Sequence, residues 1–350
     1  MKSIGIIGAT GHFGYIISKE IISAISNCHF ILYGRRKPDF DFPNIRFEHF
    51  DYNYDKIIPS STDNLILIID LSGPVKESDG KSLLACLKNN IPYMDMALHN
   101  SHINILKSIY KDQPDSSIFA HFGFFPGLSN LIILKGFEMQ NRKSGILVNE
   151  FPGYAGGGKN VSLSLKDMLN EARKHKNIRD KKINYFQMHS IKKLFKWNAK
   201  TKYFYKWEYP EIESFLYSNP DTVTLERYFS IKPSILNKPF YGIIKIWNSP
   251  MHGIVEKMIP SVLYFFKSTL FKKIDPTMEM KFYDAEGKKC IIELKVKSAV
   301  KFHGFVMASF VKSFLTKKIE AGLFTPEQIF SLDDILKEGI HDNYELVFHK

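Results

Sequence analysis

The chain has 350 residues, 44% hydrophobic and 14% aromatic, which is enough for a sizeable core and long for one domain, so two domains are expected. Its three cysteines, Cys28, Cys86 and Cys290, are widely spaced with no CxxC pair; they point to neither a disulfide framework nor a zinc site, and they suit a reducing cytoplasm. The formal net charge is +12, yet residues 1–130 carry 12 Lys and Arg against 13 Asp and Glu, so the excess lies in the remainder, 36 against 23.

The apolar run Ile4 to Ile7 predicts a strand, and its short length before a glycine loop argues against a signal peptide. Gly8, Gly11 and Gly14 follow at intervals of three, then Ile16, Ile17, Ile21, Ile22 and Ile25 at helical spacing. Strand, tight turn and helix start in that order predict a pyrophosphate site. Gly8 would permit the turn, Gly11 would admit the phosphates to the backbone, and Gly14 would let the helix lie close to the strand. The loop residues Gly8, Ala9, Thr10, Gly11, His12, Phe13 and Gly14 are therefore the first cofactor-binding candidates.

The next strand, His29–Gly34, ends in Arg35, Arg36 and Lys37, with no carboxylate where NAD-specific sites place one for the ribose hydroxyls. Guanidinium groups suit a 2′-phosphate, so Arg35 and Arg36 favour NADP, with NAD as the alternative. Strands are then expected at Ile45–Phe50, Leu65–Asp70, Tyr93–Met96 and Ser117–Phe122, with helices around Asp79–Asn90 and Ser101–Lys111. This alternation predicts a parallel, doubly wound sheet with its ligand at the carboxyl ends of the strands.

Beyond Pro126 the pattern changes. A helix is expected over Gly127–Gln140, then strands at Ile146–Phe151, Asn184–Ser190, Lys202–Glu208, Thr222–Ser230, Met278–Tyr283 and Cys290–Val296. This is an α+β pattern, and Val300–Leu315 returns to helix before a helix start at Thr325-Pro326-Glu327. Arg173 to Lys206 holds twelve Lys and Arg interleaved with aromatic residues. Nucleic acid or an anionic membrane would suit that mixture, but no nucleic-acid motif accompanies it, so a sheet with an aromatic inner face and a lysine outer face is preferred. Residues 240–271 are apolar but broken by Pro250 and Pro260, too interrupted for a spanning helix. Core or homodimer-interface helices are the preferred reading there, with peripheral membrane contact as the alternative.

Together these segments resemble the saccharopine dehydrogenase-like family of NAD(P)-binding reductases. The resemblance rests on the glycine loop, on Gly34-Arg35, on Ile69-Asp70-Leu71-Ser72-Gly73-Pro74, and on Gly80 with the helix bearing Ala85-Cys86. Pro92-Tyr93-Met94-Asp95, Phe122 to Asn130, Gly156-Gly157-Gly158-Lys159 and Gly322 to Glu327 continue it in the expected order, with Lys159 where the family usually has threonine. It is strong over 1–130 and thin between about 170 and 275. It implies a Rossmann-type domain of residues 1–122 plus 300–350, interrupted by an inserted α+β substrate and dimerisation domain at 123–299. It also implies Ser72, Gly73 and Pro74 beside the cofactor, and hydride transfer to an imine, carbonyl or activated double bond of a small-molecule substrate.

Asp95 and His99 flank the fifth strand end, His121 follows the sixth, and Tyr154 and Lys159 belong to the second domain's glycine-rich loop. Asp95, His99 and Lys159 are the candidates for proton delivery. A strand-end histidine is more often structural, and Asp95 would equally cap the next helix. The Tyr-x-x-x-Lys pairs Tyr15–Lys19 and Tyr241–Lys245 fall outside the position a short-chain dehydrogenase needs. Arg142, Arg173, Arg179 and Arg227 are the second domain's only guanidinium groups, which argues against a dicarboxylate amino-acid substrate. The alternative to an oxidoreductase is an inactive NADP-binding protein that docks on a membrane or a partner.

Overall fold

The computed structural model describes residues 2–51, 64–72, 81–97, 102–111, 115–152, 175–179, 182–186, 191–198, 200–206, 211–232, 277–336 and 344–349, with isolated positions between 234 and 257. The chain divides into two compact units. One comprises Met1–Leu131, Glu213–Ser218 and Val300–Ile340; the other comprises Ile132–Ile212, Asn219–Ala299 and His341–Lys350.

In the first unit the chain runs β1 (Ser3–Ile7), α1 (His12–Ala24), β2 (His29–Gly34), β3 (Ile45–His49), β4 (Leu65–Asp70), α2 (Lys81–Lys88), β5 (Tyr93–Asp95), α3 (His102–Tyr110) and β6 (Ser117–Phe119). α4 (Leu128–Gln140) then leads into the second unit with β7 (Ser144–Pro152), β8 (His175–Arg179), β9 (Lys182–Phe186), β10 (Lys192–Trp197) and β11 (Lys200–Lys206). α5 (Glu211–Ser218) returns to the first unit, and β12 (Thr224–Lys232), β13 (Met278–Tyr283) and β14 (Cys290–Val296) belong to the second. The chain closes with α6 (Ala299–Thr316), β15 (Gly322–Phe324), α7 (Pro326–Ile329), α8 (Leu332–Leu336) and β16 (Tyr344–Phe348).

The first unit is a Rossmann-type fold. Its seven strands run parallel in the order β15-β6-β5-β4-β1-β2-β3, so strand order reverses between β1 and β4. The central strands are apolar on both faces because helices cover both, and every residue of β1 is buried. Ile7, Ile31, Ile68 and Tyr93 pack with Leu83 and Leu87 of α2 and with Ile103 and Leu106 of α3. Elsewhere in this unit α6 stacks aromatic side chains on the end of β6 and the loop after it. Phe119 meets Phe314 with ring centroids 5.2 Å apart, Phe122 meets Phe310 at 5.1 Å and Phe124 meets Phe302 at 5.0 Å. These edge-on pairs hold the late helix to the early strands.

The second unit is a mixed sheet ordered β10-β11-β12-β7-β13-β14-β16, with β8 paired to β12 and β9 to β8. β12 and β7 run parallel, and the other pairings are antiparallel. Ile146, Val148, Phe195, Trp197, Phe204, Tyr228 and Tyr283 form a buried cluster. The basic stretch is sorted by strand alternation: Phe195, Trp197 and Phe204 turn inward while Lys192, Lys196 and Lys200 are exposed. Lys202 and Lys206 pair with the buried carboxylates of Glu150 and Glu226, each at 2.9 Å.

The structure departs from the sequence reading at several places. The strand expected at Asn184–Ser190 is present as β9 over residues 184–186, residues 187–190 lying outside the described residues, while β8 and β10 are strands for which no separate bounds were legible within the basic segment. The last ten residues do not join the first unit, as a 300–350 segment would require. β16 instead extends the free edge of β14, where Glu345 lies opposite Lys295 in an ion pair of 3.5 Å. Residues 123–131 and 213–218, placed by sequence in the second domain, belong to the first unit. Residues 240–271 lie almost wholly outside the described residues. Among the described residues no helix is long and apolar enough to cross a membrane.

Candidate functional site

The reversal between β1 and β4 puts the glycine loop at the carboxyl edge of the sheet, the usual ligand crevice of such folds. Gly8 has φ +83, and an added Cβ would stand 2.8 Å from the backbone carbon of Leu71 and the nitrogen of Ser72. Only glycine fits there, on both backbone and steric grounds. At Gly14 a Cβ would lie 2.1 Å from the Gly8 carbonyl oxygen, so α1 rests directly on the loop.

Gly11 differs. It is the N-cap of α1 with φ −68, and its N–H donates to the Gly8 oxygen at 2.9 Å. A Cβ there would meet, among the described residues, only that oxygen, at 3.3 Å. The helix has no side-chain cap and no acid in its first turn. Its first amides and positive dipole end are thus offered to an anion, across a gap that a Cβ would fill. The residues present fit a pyrophosphate.

The other cofactor candidates gather around the loop. Ala9 is buried, Thr10 is exposed, Phe13 is half-buried, and His12 supplies the first residue of α1. A Cβ at Gly34 would lie 3.7 Å from Thr10 Oγ1, so the end of β2 reaches the loop, and exposed Arg35 and Arg36 follow directly. Exposed Ser72 ends the β4 segment against Gly8. Gly73 and Pro74 lie outside the described residues, as do His99, Tyr154 and Lys159.

Further along the same edge sits a buried polar group. Asp70 and Asp95 end β4 and β5 as register partners. Tyr93 Oη donates to Asp70 Oδ2 at 2.7 Å, and Ser72 N and Oγ donate to Oδ1 at 2.8 and 2.5 Å. Burial raises the Asp70 carboxyl above its ordinary value against these hydrogen bonds, and the Asp95 charge adds to the rise.

Asp95 shifts the other way. Burial pushes it up, but the charge and hydrogen bond of His102 outweigh burial and hold its carboxyl below the usual range. His102 Nε2 lies 2.8 Å from Asp95 Oδ2; a carboxylate only accepts, so Nε2 carries the hydrogen. Asp95 Oδ1 accepts from Ala97 N at 3.0 Å and His121 N at 3.3 Å. His121 has φ +66, and burial drives its imidazole down to about 3. The structure therefore brings Asp95 and His121 together and adds His102, which the sequence reading missed. The only signal for it was a histidine in the first turn of the helix after Tyr93-x-Asp95.

Beyond β6 the chain turns through a cis Phe125–Pro126 bond, and Gly127 takes φ +130. Phe124 N donates to His303 Nε2 at 3.2 Å, and burial lowers that imidazole to about 4. In the second unit Cys290, Glu293 and His349 offer ligand atoms within 4.8 Å of one another. Glu293 is already ion-paired with Lys281 at 3.1 Å and Lys295 at 3.2 Å, two cations that oppose a metal ion.

No family model matches the sequence, and no curated protein matches it. Solved structures do. Saccharopine dehydrogenase (L-Glu forming) from Saccharomyces cerevisiae is 13% identical, covering 99% of this chain and 100% of its own, with a TM-score of 0.62. Myo-inositol 2-dehydrogenase from Lactobacillus plantarum is 9% identical over 96% of this chain and 93% of its own, with a TM-score of 0.45. Dihydrodipicolinate reductase from Paenisporosarcina sp. TG-14 is 9% identical over 94% and 100%, with a TM-score of 0.41. The first establishes a shared fold over the whole chain, that of the family the motif series resembles.

Proposed function

We propose that this chain is an NAD(P)-dependent oxidoreductase that binds its dinucleotide on the first unit and uses the second for substrate. The observation that carries the reading is Gly11: an uncapped helix start, at the reversal of strand order, with room for a phosphate where a Cβ would be. The bound dinucleotide would supply a hydride to an imine, carbonyl or activated double bond.

The chain's own groups then have separate tasks. Gly8 and Gly14 shape the loop, and the first amides of α1 hold the pyrophosphate. Arg35 and Arg36 follow β2 where the adenosine ribose belongs, and they pair with a 2′-phosphate, which makes NADP the preferred cofactor. Asp95 keeps its charge and orients His102 by accepting the Nε2 hydrogen.

Wild-type protein and Arg35→Asp are titrated with NADPH and NADH by nicotinamide fluorescence. Preference for NADPH that moves toward NADH in the variant is the expected result, and equal affinity in both proteins removes the NADP assignment. Purified protein is then offered NADPH with a panel of carbonyl and imine compounds while nicotinamide absorbance is followed. Saturable oxidation of NADPH supports the enzyme; tight binding with no turnover across the panel counts against it.

A further inference from the structure

The loop between β2 and β3 carries Arg35 and Arg36, and it has little structure of its own. Residues 35–43 form no helix or strand, and the backbone bond within them runs from Phe40 N to the Pro38 oxygen at 3.0 Å. Among the described residues one hydrogen bond ties this stretch to the rest of the unit. Tyr15 Oη, from the first turn of α1, donates to the Asp39 backbone oxygen at 3.1 Å. The Tyr15 ring also packs on Phe40 with centroids 4.8 Å apart, and Phe40 meets Phe42 edge-on at 6.1 Å.

Tyr15 heads one of the chain's two Tyr-x-x-x-Lys pairs, and the structure gives it a use other than proton transfer. Its hydroxyl hydrogen is directed at a backbone carbonyl, and the ring is half-buried against the loop. Because the acceptor is the Asp39 carbonyl and not its carboxylate, the bond fixes the backbone whatever the charge of that side chain.

Arg35 and Arg36 precede the tied residue by four and three positions. The chain is fixed on their other side as well. Gly34 pairs with His49 in the β2–β3 ladder, and its oxygen accepts from Phe50 N at 2.9 Å. A Cβ at Gly34 would lie 3.7 Å from both the Arg36 oxygen and Thr10 Oγ1, so this end of the span lies against the glycine loop. The two arginines therefore stand on a short segment held at both ends. Both are exposed, and among the described residues no carboxylate pairs with either. A segment held before its ligand arrives loses less conformational freedom when its guanidinium groups close on an anion.

We propose that Tyr15 is a positioning residue for cofactor choice: by holding Asp39 it keeps Arg35 and Arg36 in place for a 2′-phosphate, and so strengthens the preference for NADPH over NADH. This rests on reading the first unit as a dinucleotide site with the 2′-phosphate on those arginines. NADH has no 2′-phosphate, so its binding does not draw on the tie.

Wild type, Tyr15→Phe, Tyr15→Ala and Arg35→Asp are titrated calorimetrically with NADPH and with NADH, and melting midpoints are taken without ligand. Tyr15→Phe keeps the ring on Phe40 and removes only the donor. Its NADPH affinity should fall about threefold, the loss of one neutral hydrogen bond, while its NADH affinity and its midpoint stay those of wild type. Tyr15→Ala also removes the aromatic pair and should lower NADPH affinity about tenfold, against less than about twofold for NADH. Equal weakening of both nucleotides, or unchanged NADPH affinity in both Tyr15 variants, would overturn the assignment and leave Tyr15 a structural residue. The failures separate. Wild type that binds neither nucleotide fails the dinucleotide reading, a preference unmoved by Arg35→Asp fails the 2′-phosphate assignment, and the proposal falls with either. A preference that moves in Arg35→Asp but in neither Tyr15 variant fails the proposal alone.

Discussion

Gly11 and Gly14 lie three residues apart on the same turn, yet replacing each with alanine should produce opposite phenotypes. At Gly14 the new Cβ would stand 2.1 Å from the Gly8 oxygen and 3.0 Å from its carbon, both backbone atoms that cannot swing away. Ordinary non-bonded separation is about 3.5 Å, so α1 would have to lift from the loop by about 1.4 Å. Overpacking of this kind costs about 1–3 kcal/mol, offset by about 1 kcal/mol because alanine suits a helix interior better than glycine. A net loss of about 1 kcal/mol lowers the melting midpoint by about 2–4 °C. At Gly11 the Cβ meets only the Gly8 oxygen at 3.3 Å, and φ −68 suits any residue, so the midpoint should barely move. The methyl group would instead occupy the approach to the first amides of α1. Loss of one charge-assisted hydrogen bond to phosphate costs about 1.5–3 kcal/mol, or about 10- to 100-fold in NADPH affinity. Differential scanning fluorimetry and a fluorescence titration read the two effects separately. A Gly11→Ala protein that melts early, or that binds NADPH as wild type does, would refute the division of labour between these glycines.

His121 and His303 make the protein acid-labile. Their imidazoles fall from 6.5 to about 3 and about 4 on folding, so below pH 6.5 the unfolded chain takes up protons the folded one refuses. Stability contributed above pH 6.5 is therefore lost as pH falls, by about 1.4 kcal/mol per pH unit for each group, until the folded values are reached. Urea midpoints measured from pH 7 to pH 4.5 should show it, and His303→Gln, which keeps an acceptor for Phe124 N, should flatten the slope by about one proton. In the second unit, added Cβ atoms at Gly136 and Gly145 would stand 2.3 and 2.1 Å from the Phe282 ring. Gly136→Ala should cost about 2 kcal/mol alone and much less beside Phe282→Leu, a coupling of about 1 kcal/mol in a double-mutant cycle of urea stabilities. Additive effects would contradict that packing.

The glycine loop and the parallel strands were legible because each rests on local chemistry: glycines where a Cβ cannot fit, and apolar runs covered on both faces. Met278–Tyr283 and Cys290–Val296 were readable as strands from their alternation of apolar with charged residues. Lys281 gave no hint that it is buried, because its partner Glu293 comes from the neighbouring strand. The sorting of the basic segment into an aromatic inner face and a lysine outer face was legible from its composition, but the bounds of β10 were not, because lysines on both sides of Phe195 and Trp197 mark no strand end. The closing strand misled for a different reason: a family resemblance assigned it by position, whereas its pairing depends on which sheet edge is open. At the site, Asp95 was visible at a strand end, but His102 reaches it across residues 98–101, and no local periodicity encodes that pairing. Nor did the sequence show that the His121 backbone would bond to Asp95 while its ring finds no hydrogen-bond partner among the described residues.

The central claim is that the first unit holds a nicotinamide dinucleotide on its glycine loop, and a calorimetric titration of wild type and Gly11→Asp with NADPH tests it most directly. The account predicts saturable one-to-one binding by wild type and none by Gly11→Asp, whose carboxylate would take the place of the phosphate at the start of α1, while both proteins melt within a few degrees of each other. Wild type that fails to bind at millimolar NADPH, or a folded Gly11→Asp that binds equally well, would contradict it.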